Sequence, residues 1–308
     1  MNLSRRSWPR IRPRALPRWS EVSVEAVAVS IGAAIVAGTE RLAVADIAEP
    51  RREARLILAL ALGVDPGVVL GYPERLVSPE AQARFDDLIA RRARHEPFSR
   101  LKGHREFWSL DFALSPDTLD PRPDSETLIE AALSFLPDRQ ARLRLIDFGT
   151  GTGCLLLALL HELPNATGLG VDIAPGAIAA AQRNAAALDL SARAQFRCGD
   201  WDQGIDEKVD VILANPPYIP SQGIERLAPE VAAYEPKRAL DGGPDGLDGY
   251  RALAPAARRL LVPGGIACFE LGAGQAAAVH TLMMKFGLQI KAIRCDLAGI
   301  ERCLVATA

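Results

Sequence analysis

The sequence predicts an α/β protein, in which a doubly wound, Rossmann-like sheet domain follows a small helical domain. Three observations carry this. From Leu143 onward, apolar runs of strand length alternate with segments of helical length, the order of a sheet built by strand–helix–strand crossovers. The turn Gly149-Thr150-Gly151-Thr152-Gly153 stands where the first of those runs hands over to a helix. Residues 22–97, by contrast, space their apolar side chains as helices do.

The bulk properties bound the rest. With 308 residues, 49% of them hydrophobic and 24% charged, the chain reads as an ordinary globular protein with room for two modest domains. A net charge of -2 gives no global electrostatic footprint for nucleic acid. Five cysteines (154, 198, 268, 295, 303) form no C-x-x-C pair, which argues for a reducing, cytoplasmic setting and against a disulfide framework or zinc site. The four histidines (95, 104, 161, 280) lack metal-ligand spacing, so no metal is expected. No apolar run approaches the ~18 residues of a membrane span.

Residues 1–20 carry six arginines and three prolines with no acid before Glu21, and are expected to be disordered and dispensable. An export signal around Arg5-Arg6 and a transit peptide are the competing readings; Glu21, Glu25 and the lack of a small-residue cleavage site weigh against export. A helical domain is then expected over residues 21–103. Its helix at 52–62 ends at Gly63, and another starts at Ser78-Pro79-Glu80, with Ser as N-cap and Pro in the first turn. Residues 104–122 are expected to form a hairpin and hinge, with strands at 106–110 and 112–114. The third region, 123–308, opens with the stiff turn Pro121-Arg122-Pro123-Asp124-Ser125-Glu126 feeding a helix.

In that region strands are expected at 143–148, 168–171, 194–198, 209–214 and 266–271, with an antiparallel pair at 288–294 and 302–306. Helices are expected at 154–162, 175–188, 250–261 and 273–286, and Pro263-Gly264-Gly265 as a turn. Four candidate features fall on successive strand ends, where open α/β sheets bind ligands. They are the glycine turn, Asp172, Asp200-Trp201 and the tetrapeptide Asn215-Pro216-Pro217-Tyr218.

Each has a chemical use. The glycines let backbone approach a ligand at the positive end of a helix, and Asp172, about twenty residues on, can hold two ribose hydroxyls. The spacing is G-x-G-x-G rather than the G-x-G-x-x-G of dinucleotide sites, which shifts the expected cofactor to S-adenosylmethionine. Trp201 could cover an adenine face, or be a core tryptophan. In the tetrapeptide the Asn carbonyl accepts a hydrogen bond, the prolines fix the backbone, and the Tyr ring can stack. The set suits a planar, NH2-bearing substrate; the bland alternative is a proline-rich turn.

These motifs, with Glu96-Pro97, Tyr234-Glu235-Pro236 and Ala239-Leu240-Asp241-Gly242-Gly243-Pro244-Asp245-Gly246-Leu247, resemble the release-factor glutamine methyltransferases, the HemK/PrmC family, from about residue 45 to the C-terminus. The resemblance implies a seven-stranded methyltransferase domain behind a small helical one. It implies methyl transfer from S-adenosylmethionine to the amide nitrogen of the Gln in the Gly-Gly-Gln motif of peptide chain release factors, a step in translation termination. Carried over by position, Gly149, Thr150, Gly151, Thr152, Gly153, Asp172, Trp201 and Asn215 would contact the cofactor. Asn215, Pro216, Pro217 and Tyr218 would hold the Gln, with Asn215, Pro216 and Tyr218 catalytic. Glu126 and Glu235 rank below these, as capping or ion-pair residues. Two departures are the Arg/Pro tail and Ser125, which stands where the family usually has Thr.

The partners implied are release factors, with no direct nucleic acid, no membrane and a monomeric enzyme. Two rivals remain open. An adenine or cytosine amino-methyltransferase uses the same tetrapeptide on a flipped base, but would need a basic recognition region. A non-catalytic, S-adenosylmethionine-binding assembly factor would have no use for an intact tetrapeptide.

Overall fold

The structure, a computed structural model, describes residues 29–308, so the expectation for residues 1–20 lies outside the described residues. The chain divides into two compact units between Ala93 and Arg94.

The first unit is helical. It contains α1 (Ile31–Val44), α2 (Pro50–Leu62), α3 (Pro66–Gly71) and α4 (Pro79–Arg92). The two signals read from the sequence act as expected: Ser78 Oγ accepts from Ala81 N at 3.2 Å, and Gly63 ends α2 in the left-handed region. Ile31, Leu42, Ile57, Leu58, Phe85 and Ile89 are buried to within 1% and make the core. Gly38 lets α1 lie against α4, since a Cβ there would sit 2.6 Å from the Phe85 ring. Among the described residues no helix is long and apolar enough to cross a membrane.

The second unit opens with α5 (Phe98–Lys102) and the hairpin β1 (His104–Phe107) and β2 (Leu110–Ala113). The structure draws its dividing line ahead of α5, and the hairpin goes with the larger unit for a packing reason. Phe107 and Phe112 meet edge to face at 6.3 Å and are buried in the same core as Leu128 and Leu156. The reversal falls at Trp108-Ser109, not at Asp111 as the strand pattern suggests. Both residues have positive φ, 53° and 57°, which a two-residue hairpin turn requires. Their cost is offset by Glu126, which accepts from Trp108 N at 2.7 Å, and Glu162, which accepts from the indole at 2.9 Å.

After a 3-10 turn at Pro123–Ser125 come α6 (Glu126–Phe135), β3 (Arg144–Phe148), α7 (Cys154–Glu162), β4 (Thr167–Asp172), α8 (Pro175–Ala187), β5 (Ala194–Cys198) and β6 (Val209–Ala214). The chain then runs through α9 (Pro229–Ala232), α10 (Asp248–Leu260), β7 (Leu261–Glu270), α11 (Ala276–Lys285), β8 (Gln289–Cys295) and β9 (Glu301–Thr307). Seven strands form one sheet in the order β5-β4-β3-β6-β7-β9-β8, parallel except for β9, which is antiparallel to both neighbours. The turn read at Pro263-Gly264-Gly265 is an interruption inside β7: Leu261 pairs with Val209 and Ile266 with Val211, so the intervening residues bulge out.

Strand alternation sorts the core into two layers. Leu145, Val211, Leu213, Cys268 and Val305 face one layer, with α6 and α7; Ile146, Phe148, Ile212, Phe269 and Leu304 face the other, with α10 and α11. A sheet covered on both faces explains why β6 is apolar at every position but Asp210 near its start.

Candidate active site

β3 and β6 are neighbours, and the chain leaves them in opposite directions: β4 and β5 extend the sheet one way, β7 the other. That reversal opens a crevice beyond the carboxyl ends of the two strands. A cavity of about 550 Å³ lies there, within the range of roughly 300–1,000 Å³ usual for small-molecule sites. Residues 149–152 of the glycine turn after β3, Asp172 at the end of β4, Trp201 after β5 and Asn215 after β6 all line it.

The glycine turn is shaped by its φ values of 71°, 54° and 82° at Gly149, Gly151 and Gly153, which side chains other than glycine rarely adopt. A Cβ on Gly149 or Gly151 would meet no protein atom nearer than 3.8 Å, so that side of the turn is open to the cavity. Gly153 faces the other way, onto Leu157 and Ala181, and is a packing residue. The turn ends at the N-terminus of α7, which has no side-chain cap, so the positive helix end is available to an acidic ligand group. Asp172 braces the turn: Oδ2 accepts from Gly151 N and Oδ1 from Ala174 N, both at 2.9 Å. Each oxygen keeps a second lone pair for a ligand. Burial raises the Asp172 pKa, against the two backbone donors that lower it.

Beneath the turn lies a carboxyl that motif reading missed. Asp147 is 1% exposed; Thr150 Oγ1 donates to its Oδ2 at 2.6 Å, while Oδ1 has no partner. Burial raises its pKa to about 7, and the Thr150 hydroxyl restrains the rise. The available signal was a lone acid inside an apolar strand next to the glycine turn. Trp201 adopts φ 45°, is half-buried against the second core layer and also lines the cavity.

The tetrapeptide leaves β6 with strand-like alternation. Asn215 and Pro217 line the cavity; Pro216 and Tyr218 do not. Pro216 packs against Gly249 at the start of α10, and Tyr218 donates to Glu270 Oε1 at 3.3 Å from the far side of the wall. The Tyr218 ring is therefore not placed on the cavity wall where a stacking role would put it. Asn215 Nδ2 donates to Ser125 Oγ at 3.3 Å, which commits the nitrogen to the protein and leaves Oδ1 as the free acceptor. Ser125 is buried and also lines the cavity, so the position where this chain departs from the family pattern touches Asn215 directly.

The glycine-rich loop before α10 lies along the back of the tetrapeptide. Ile219 N donates to Leu240 O at 3.0 Å and Gly242 N to Ile219 O at 2.9 Å. Side chains at Gly242 and Gly246 would collide with the Pro217 and Tyr218 carbonyls, at 2.7 and 2.4 Å. Glu235 is an ion-pair residue, as its sequence position suggested: Arg100 and Arg122 donate to it at 2.7 and 3.1 Å. Glu126 accepts from Trp108 N, as described above. Among the described residues no cluster of His, Cys, Asp or Glu could hold a metal ion.

Comparison with known proteins agrees with this arrangement. Residues 33–103 match the PrmC N-terminal domain and residues 115–240 the methyltransferase small domain. A release factor glutamine methyltransferase of Rhodospirillum rubrum is 51% identical over 92% of this chain and 86% of its own length. One from Cereibacter sphaeroides is 44% identical over 89% of this chain and 96% of its own. Among solved structures, the hMettl16 catalytic domain in complex with a MAT2A 3'UTR hairpin has a TM-score of 0.54 at 16% identity, covering 76% of this chain and 84% of that one, which is a likeness of fold. With its cavity, its tetrapeptide and relatives matched over nearly their whole length, the chain belongs to the release factor glutamine methyltransferase family.

Proposed function

We propose that this enzyme moves the methyl group of S-adenosylmethionine to the side-chain amide nitrogen of the Gln in the Gly-Gly-Gln motif of peptide chain release factors. The observation that carries the reading is Asn215, whose nitrogen is spent on Ser125 and whose oxygen is left to accept at the cavity wall.

S-adenosylmethionine supplies an electrophilic methyl on a sulfonium. The residues present fit it: the open glycine turn and the uncapped start of α7 suit its carboxylate end, and Asp172 suits its ribose. Asp172, Asp200, Asp241 and Asp248 line the cavity besides Asp117, which pairs with Arg238, and they outnumber the lining arginines Arg122 and Arg238, a balance that favours a cationic ligand. Trp201 offers a flat apolar face to the adenine.

An amide nitrogen is a poor nucleophile because its lone pair is delocalised into the carbonyl. In this reading Asn215 Oδ1 accepts an N–H bond of the substrate Gln at the cavity wall. That fixes the nitrogen in line with the methyl and favours the positive charge that grows during attack. The methylated cation then loses its proton to water. Pro217 walls the substrate, and Tyr218 supports the wall from behind. The enzyme acts in the cytoplasm as a monomer, on a protein and not on nucleic acid.

Incubation of the purified protein with methyl-labelled S-adenosylmethionine and either a release factor or DNA tests this directly. Label is expected on the release factor and lost when its Gly-Gly-Gln glutamine is replaced. Label on DNA, or on neither, overturns the reading.

Asp172→Ala is expected to weaken S-adenosylmethionine binding by about 2–3 kcal/mol, or roughly 30- to 150-fold, through loss of a charge-assisted contact. The fold should survive, since the two amides it releases lie at the cavity edge. Titration calorimetry checks it: unchanged affinity in a folded variant removes Asp172 from the cofactor site.

A further inference from the structure

Glu270 ends β7 directly behind the tetrapeptide, and no step above uses it. Its residue is 1% exposed. Tyr218 donates to Oε1 at 3.3 Å. Ser125 sits beside it, near enough to stabilise the charged form, though Oε2 makes no well-formed hydrogen bond. Ser125 in turn receives the Asn215 amide nitrogen at 3.3 Å. The backbone here is firm: Tyr250 donates to the Glu270 carbonyl at 2.7 Å, and Gln275 Nε2 donates to the Tyr218 carbonyl at 2.9 Å. A buried carboxyl with one oxygen unpartnered thus holds Tyr218 and lies beside Ser125, the residue that receives Asn215.

We propose that Glu270 is a positioning residue for methyl transfer: its carboxylate draws the Tyr218 and Ser125 hydroxyls towards itself and, through Ser125, turns Asn215 so that Oδ1 faces the substrate. The proposal rests on the role given to Asn215 above. An ionised carboxylate only accepts, so both hydroxyls must point their protons at it. Ser125 then presents a lone pair to Asn215 Nδ2, which settles the amide orientation. A protonated Glu270 carries a competing donor, and the orientation is no longer enforced.

The groups facing Glu270 come from several elements. They are Tyr218 after β6, Asp124 and Ser125 before α6, Tyr250 on α10, Arg302 and Cys303 on β9, and Cys154 at the start of α7. Burial raises the Glu270 pKa to about 7, while Ser125, Arg302 and Tyr218 restrain the rise and Asp124 adds to it. A carboxyl whose folded pKa is raised contributes stability at low pH that is lost as pH rises through the folded value. Ionisation near pH 7 therefore costs stability while it orders the site.

The test measures kcat at saturating release factor and S-adenosylmethionine across pH, for the native enzyme and for Glu270→Gln. The native kcat is expected to rise with an inflection near the Glu270 pKa of about 7. Glu270→Gln keeps the shape and one acceptor but cannot receive both hydroxyls. It is expected to lose about tenfold in kcat above that pH, to lose the inflection, and to bind S-adenosylmethionine unchanged. Its melting temperature above neutral pH should equal or exceed that of the native enzyme, which a merely structural role would not allow. A flat native profile, or an inflection that persists in Glu270→Gln, overturns the proposal; because Asp147 also has its pKa raised to about 7, Ser125→Ala, which cuts the link to Asn215, takes the place of Glu270→Gln if that variant fails to fold, and an inflection that persists in it overturns the proposal as well. Asn215→Ala run alongside separates the two readings: if it is inactive while Glu270→Gln is fully active, only the Glu270 inference fails.

Discussion

Asn215→Ala is expected to lower kcat by about 10²–10³, the usual cost of removing one preorganised donor or acceptor from a reacting centre. Release-factor affinity should change little, because most docking contact lies outside one side-chain amide. The hydrogen bond from the substrate nitrogen strengthens as charge develops on it, which places the loss in the rate constant. The structure sharpens the expectation, since Asn215 Nδ2 is held by Ser125 and the amide cannot rotate freely. Single-turnover kinetics with release factor in excess measures the methyl-transfer step alone. Asn215→Asp is the finer control. Its carboxylate still accepts but loses the donor to Ser125, so partial activity is expected. A near-native rate in Asn215→Ala would remove the tetrapeptide as the clamp on the substrate amide.

Much of this site is legible in the sequence because its parts are local. The glycine turn, Asp172 and Asn215 stand at the ends of strands whose apolar pattern is plain, with Trp201 in the loop just beyond β5, and a parallel sheet brings strand ends together without further information. What stayed hidden depends on partners far along the chain. Glu270 is a single acid at the end of an apolar strand, and only tertiary structure shows that Ser125 and Tyr218 stand beside it. The hairpin reversal was hidden for another reason. Trp and Ser are not residues that favour positive φ, and those angles at Trp108 and Ser109 are sustained by Glu126 and Glu162, up to 54 residues away. Pro216 and Tyr218 show a third limit: a motif names four residues but not which of them line the cavity.

Glu235→Ala is expected to destabilise the larger unit by about 3–5 kcal/mol, because it strips a buried ion pair of one partner and leaves the other charge behind. The Glu235 side chain is 1% exposed and that of Arg100 10%. Arg100 and Arg122 donate to the two carboxylate oxygens, and Asp120 N adds a third bond at 3.2 Å. Without Glu235 the Arg100 guanidinium keeps the Ser115 and Thr118 carbonyls, each at 2.6 Å, but no counter-charge at that nitrogen. Water entering to solvate it must open the contact between the segment at 115–122 and the loop that follows the tetrapeptide. For a unit of this size, about 2–4 °C per kcal/mol applies, so the melting temperature should fall by roughly 6–20 °C. Removing both charges in Arg100→Ala/Glu235→Ala should cost less than the sum of the single changes, since neither partner is then stranded. Thermal and urea unfolding of the four proteins measure this coupling. Additive losses would mean that the two side chains contribute separately, and that the pair does not hold the loop.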